Sequence, residues 1–155
     1  MPPLPRRRVL QFGAAIAVTC LLSPPARADD AAVLSAKRVA LRGYDPVSYF
    51  TSGQPEKGSA DFASTFGDAT YYFRNLEHLT MFNRAPDRYA PQYAGFCAGA
   101  IGVGVKVEAD PNAWTISDGK LFVFFAKVDV PQSRDELTDV VAKADARWRK
   151  IHRPQ

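Results

Sequence analysis

The stretch 133–148 reads SRDELTDVVAKADARW, and it decides the fold. Ser133, three residues before Glu136, forms a capping box that starts a helix. Leu137, Val140, Val141, Ala144 and Trp148 then recur at helical spacing on one face, with charge on the other. A helix with a single apolar stripe needs an apolar surface to lie on. Two upstream segments supply one. Phe62–Phe66 and Thr70–Phe73 flank Gly67-Asp68-Ala69, and Trp114–Ile116 and Lys120–Phe125 flank Ser117-Asp118-Gly119; both read as hairpins dense in aromatics. Between them, Asn75 caps a short helix over 76–84 whose apolar stripe is Leu76, Leu79 and Phe82, and Pro86 stops it. The expected fold is α+β: a small antiparallel sheet built from two hairpins, packed by this short central helix and the C-terminal amphipathic helix.

The remaining segments are less patterned. Gly43-Tyr44-Asp45-Pro46 is a turn, Val47–Phe50 reads as a short extended piece, and 51–59 reads as a loop. Residues 94–104 carry Gly95, Gly99, Gly102 and Gly104 around Cys97, a stretch that lets backbone approach closely. No internal repeat and no low-complexity tract is visible.

The chain has 155 residues and a formal charge of +4, with a pI near 9.2. The surplus is Arg6, Arg7, Arg8 and Arg27, and every acid lies from Asp29 onward, so the remainder is formally neutral. A neutral domain has no net field to attract a polyanion, which argues against nucleic acid as a partner. Residues 1–28 read instead as an export signal: the arginines form the n-region, Phe12–Leu22 is an uncharged and mostly apolar core, and Ala26-Arg27-Ala28 is a cleavage site. Arg6-Arg7-Arg8-Val9-Leu10 also fits a twin-arginine signal. The apolar core is shorter than the roughly 20 residues a bilayer span needs. The expectation is a periplasmic protein cleaved after about Ala28, with no transmembrane segment in the mature chain, a flexible lead-in over 29–40 and one domain over 41–150.

Cleavage removes Cys20 and leaves Cys97 as the only cysteine, so no internal disulfide can form. Its thiol is buried, bound to something, or paired with Cys97 of a second copy in a homodimer. There is no Gly-x-Ser-x-Gly, no phosphate-binding loop and no His-Glu-x-x-His. A four-ligand Cys/His zinc site is out of reach, because Cys97, His78 and His152 are the only such residues left. Cys97, His78 and Met81 are a soft donor set suited to Cu(I) if they converge. His152 falls in the tail behind the last helix and is set aside.

The order of motifs resembles a known family. Gly43-Tyr44-Asp45-Pro46-Val47-Ser48-Tyr49-Phe50 is followed by Ala69-Thr70-Tyr71-Tyr72-Phe73, then Phe82, Pro86 and Tyr89, then Tyr93-Ala94-Gly95-Phe96-Cys97-Ala98, then Trp114-Thr115-Ile116-Ser117-Asp118-Gly119-Lys120-Leu121. Over about residues 40–149 the chain resembles the exported, single-domain branch of the YHS-domain proteins. Related YHS (TRASH) modules are short, cysteine-bearing units thought to bind heavy-metal ions. Their thiol positions fall here on Ser48, Arg74 and His78. The resemblance implies an exported binding module, without demonstrated catalysis, that takes a copper or zinc ion through Cys97 and His78. Two other readings stay open: a thiol-dependent redox or small-molecule-binding protein using Cys97, with Tyr44, Asp45 and Tyr93 lining the pocket, or a structural or interaction domain with an inert, buried Cys97.

Overall fold

The computed structural model describes residues 37–152; the expected export signal and nearly all of the expected lead-in lie outside the described residues. Strand β1 (Arg38–Val39) runs into a 3-10 turn, Ala40–Gly43. Helix α1 (Ser48–Thr51) and hairpin β2 (Ser59–Phe66) with β3 (Ala69–Phe73) follow. Next come α2 (Leu76–Arg84), α3 (Pro86–Tyr89), a second 3-10 turn (Gln92–Gly95) and α4 (Ala98–Gly102). Hairpin β4 (Asp110–Ser117) with β5 (Lys120–Phe124), a short turn (Lys127–Asp129) and α5 (Arg134–Ile151) complete the chain. The α+β architecture, both hairpins, the central helix and the C-terminal helix are present as expected. Each hairpin makes its own sheet, and β1 adds to the first by pairing parallel with β3. Among the described residues no helix is long and apolar enough to cross a membrane.

Both hairpins close through two residues, not three. Phe66 pairs with Ala69 and Ser117 with Lys120. Gly67 alone has positive φ in the first turn, whereas Asp118 and Gly119 both do in the second. These are the II′ and I′ patterns, whose twist matches the flanking strands.

Residues 47–50 are not extended. Asp45 Oδ1 accepts the Val47 N–H at 2.8 Å, and Pro46 follows as the first turn residue, so Asp-Pro starts a helical turn over Ser48–Thr51. The α2 stripe also differs. Leu76 is 63% exposed, and His78 and Phe82, one turn apart, take the buried face. Phe82 inserts among Phe66, Tyr71 and Phe73 with ring centroids 4.9–6.1 Å away. Such aromatic pairs add about 0.5–1.5 kcal/mol each beyond area burial. At the start of α5, Ser133 accepts the Glu136 N–H as expected, but Glu136 reaches back one residue further, to the Gln132 N–H.

Two cores meet on β5. Leu121 and Val123 face a cluster with Leu41, Tyr49, Tyr71, Phe73 and Phe82. Phe122 and Phe124 face the other way, toward Tyr93, Cys97, Ile101, Leu137 and Ala144. Burial on both faces explains why this strand reads as a continuous apolar run. Helix α5 therefore lies on the second hairpin and on α4.

The two halves of the described chain repeat one another, which the sequence does not show. Leu41, Arg42 and Gly43 all have positive φ (53, 50 and 78°), and so do Tyr93, Ala94 and Gly95 (54, 54 and 81°). An aromatic follows each turn and makes an isolated antiparallel bridge, Tyr44 with Lys57 and Phe96 with Glu108. The next residue donates its N–H across that bridge at 2.9 Å, Asp45 to Glu56 O and Cys97 to Val107 O. It also caps a helical turn with its side chain, Asp45 on Val47 and Cys97 on Ala100. A hairpin with the same register shift comes next: Ser59↔Phe73 then Ala63↔Tyr72, and Asp110↔Phe124 then Trp114↔Val123. Corresponding positions lie about 51 residues apart throughout.

Candidate functional site

Asp45 and Cys97 occupy corresponding positions, and their surroundings are opposite in chemistry. Asp45 is fully buried. Oδ1 accepts Val47 N–H, and Oδ2 accepts Arg74 N–H at 2.9 Å and lies 2.7 Å from His78 Nδ1. Ser48 Oγ donates to Asp45 O at 2.8 Å and accepts the Glu56 N–H at 3.1 Å. The Arg74 guanidinium pairs with Glu56 at the surface. Every polar atom of this buried group therefore has a partner, as burial of a carboxylate requires. The pair fixes the orientation of the His78 ring, and no described residue hydrogen-bonds Nε2.

The second half places apolar residues at three of these four polar positions. Ala100 takes the place of Ser48, Val107 that of Glu56, Phe125 that of Arg74 and Asp129 that of His78. With Cys97, Gly99 and Val103 they line an open groove of about 550 Å³. Nothing fills it. Asp129 does not reach over the capping residue as His78 does; its Oδ2 accepts the Ala126 N–H at 3.0 Å. Cys97 is 4% exposed and its Sγ accepts the Ala100 N–H at 3.5 Å, so the thiol is at once a helix cap and part of the groove floor. Val103 and Phe125 at the groove, with Val105 and Val128 in the adjoining segments, are four of the five large apolar side chains exposed among the described residues.

The residues singled out in sequence divide between the halves. His78 and Asp45 come together, a pairing the sequence reading did not make. Tyr44 belongs with them: it packs on the first core, under Lys57, whose Nζ is 4.2 Å from the ring centroid. Cys97 and Tyr93 share the second core. Tyr93 donates its hydroxyl to Asp145 Oδ1 at 2.9 Å; burial, then that bond, pushes its ionisation far above the ordinary tyrosine range. The Cys97 groove does not include His78. Among the described residues no three His, Cys, Asp or Glu side chains converge to hold a metal ion. The donor set around Cys97 thus does not fit a resident copper or zinc site.

His152, set aside in sequence, is ordered by its neighbours. Its ring stacks on Trp148 with centroids 4.3 Å apart, and its Nδ1 lies 3.1 Å from Asp68 Oδ2. The signal available was the four-residue spacing from Trp148, which puts both rings on one helix face.

Comparison with protein-family models, with curated proteins and with solved structures finds no match to this chain.

Proposed function

We propose that this is an exported, YHS-like binding module whose ligand site is the open groove over Cys97, and that the ligand is a small, mainly apolar molecule held against the thiol. The observation that carries this reading is the contrast between the two halves. One backbone arrangement is closed by a hydrogen-bonded polar network around Asp45, and its counterpart is left open, apolar and floored by a thiol. A groove of about 550 Å³ falls in the size range of small-molecule sites. The export signal and the motif order support the YHS-like and periplasmic parts of the proposal. A metal held jointly by Cys97 and His78 is less well supported, since Nδ1 of His78 faces Asp45 and the two residues lie in different halves.

The test is thiol chemistry on the folded protein. Native protein should react with N-phenylmaleimide faster than with a charged maleimide, and the preference should vanish on unfolding. Val103→Glu should slow the apolar reagent without changing stability by more than about 0.5 kcal/mol. A native thiol that resists both reagents while the unfolded chain reacts at once would refute the proposal and establish the inert-cysteine reading.

A further inference from the structure

A second cavity, independent of Cys97, lies where the first hairpin meets the C-terminal end of α5. It measures about 160 Å³, below the range of drug-sized sites. Its apolar walls are Phe66, Pro91 and Trp148, and its polar groups are Tyr71, Asp68 and His152.

Two features give it a preference. Tyr71 is 1% exposed, lines this cavity, and has no hydrogen-bond partner for its hydroxyl among the described residues. No side-chain oxygen or nitrogen among the described residues is both sealed from solvent and unpartnered, so this hydroxyl opens onto the cavity, where a ligand can meet it. Asp68 supplies a carboxylate of which Oδ2 faces His152, while Oδ1 has no partner among the described residues. Among the described residues, three neighbouring cations have partners of their own. Lys37 donates to Gly67 O, Arg38 to Glu108 and Ala94 O, and Lys106 lies over the Phe96 and Trp148 rings. Desolvation holds Tyr71 neutral up to about pH 12, so its oxygen is an acceptor at working pH.

The geometry points to a site for a small primary ammonium ion, its N–H groups donating to Asp68 Oδ1 and Tyr71 Oη and its short alkyl group against Phe66 and Pro91. An anion would meet the carboxylate, and a nucleotide exceeds the volume.

Trp148 reports on the cavity, and Trp114→Phe leaves it as the only tryptophan. In that background, titration with ethylammonium chloride, against sodium chloride at equal ionic strength, should give a saturable change in fluorescence. The affinity should fall at least tenfold in Asp68→Asn and several-fold in Tyr71→Phe, and stay unchanged in Cys97→Ser, which separates this site from the groove. Each variant is scored only after its cooperative unfolding is confirmed. No saturable change with ethylammonium, an unchanged affinity in Asp68→Asn, or equal binding of tetramethylammonium, which has no N–H to donate, would overturn the inference.

Discussion

Replacing Asp45 by Asn tests the assignment of opposite roles to the two capping positions. The side chain keeps its size, but one oxygen becomes an NH₂ group. If the amide nitrogen stands at Oδ1, it opposes the Val47 N–H, which was bonded at 2.8 Å. If it stands at Oδ2, it opposes the Arg74 N–H, bonded at 2.9 Å, and loses the approach to His78 Nδ1 at 2.7 Å. Either way at least one backbone donor is left buried without an acceptor beside a residue that is 0% exposed. Each such orphan costs about 1–3 kcal/mol, and the facing NH₂ adds a second, so the loss should be about 2–4 kcal/mol. At roughly 4 °C per kcal/mol for a domain of this size, Tm should fall by about 8–16 °C. At the corresponding position, Cys97→Ser keeps an acceptor for the Ala100 N–H and should cost less than about 1 kcal/mol. Urea unfolding of the three proteins side by side measures both differences. An Asp45→Asn variant within about 1 kcal/mol of wild type, or a Cys97→Ser variant as unstable as Asp45→Asn, would refute the reasoning.

Two further outcomes follow from the packing. A Cβ on Gly58 would stand 2.5 Å from the Tyr72 backbone carbon, so Gly58→Ala should destabilise by about 3 kcal/mol or more in urea unfolding, whereas Gly53→Ala meets no atom and carries only the cost of its positive φ, about 1 kcal/mol. Burial raises the Tyr71 hydroxyl from 10.0 to about 12, so above pH 10 the unfolded chain gives up a proton that the folded one keeps; stability should fall between pH 10 and 12, and the slope should be shallower in Tyr71→Phe, measured by urea unfolding at stepped pH.

What the sequence made legible was local. Asn75 at the start of α2 and Ser133 at the start of α5 announce themselves through backbone N–H groups three residues on, and the structure uses both. The hairpins were legible because Asp118-Gly119 and Gly67-Asp68 fix tight turns between aromatic runs. Residues 47–50 misled because Tyr49 and Phe50 have strand propensity, while the deciding contact, the cap from Asp45, precedes them. The partner of His78 was out of reach for a different reason. His78 and Asp45 are 33 residues apart, and only the docking of α2 on the first hairpin brings them to 2.7 Å. The repeat was hidden because what the halves share is backbone conformation. Gly43 with Gly95 and Phe73 with Phe124 are identical, but Asp45 with Cys97, Arg74 with Phe125 and His78 with Asp129 have nothing chemical in common.

The repeated turn argues that the capping position is what this fold is built to present. Leu41, Arg42, Tyr93 and Ala94 all adopt left-handed backbone, although none is glycine, at about 1–2 kcal/mol each. Strain of that size persists only where the surroundings over-determine it. Here two independent segments hold it in the same form: three left-handed residues, an aromatic locked by a bridge, then a side chain aimed back over the next helical turn. Tyr44 and Phe96 are each further fixed by a cation over the ring, Lys57 at 4.2 Å and Arg38 at 4.0 Å. The two halves share their backbone form up to Asp45 or Cys97, and at that position their side-chain chemistry parts. A closed carboxylate network in one half gives the domain a rigid reference. The same scaffold can then hold a single thiol at the floor of an open groove in the other half without that thiol having to stabilise the fold.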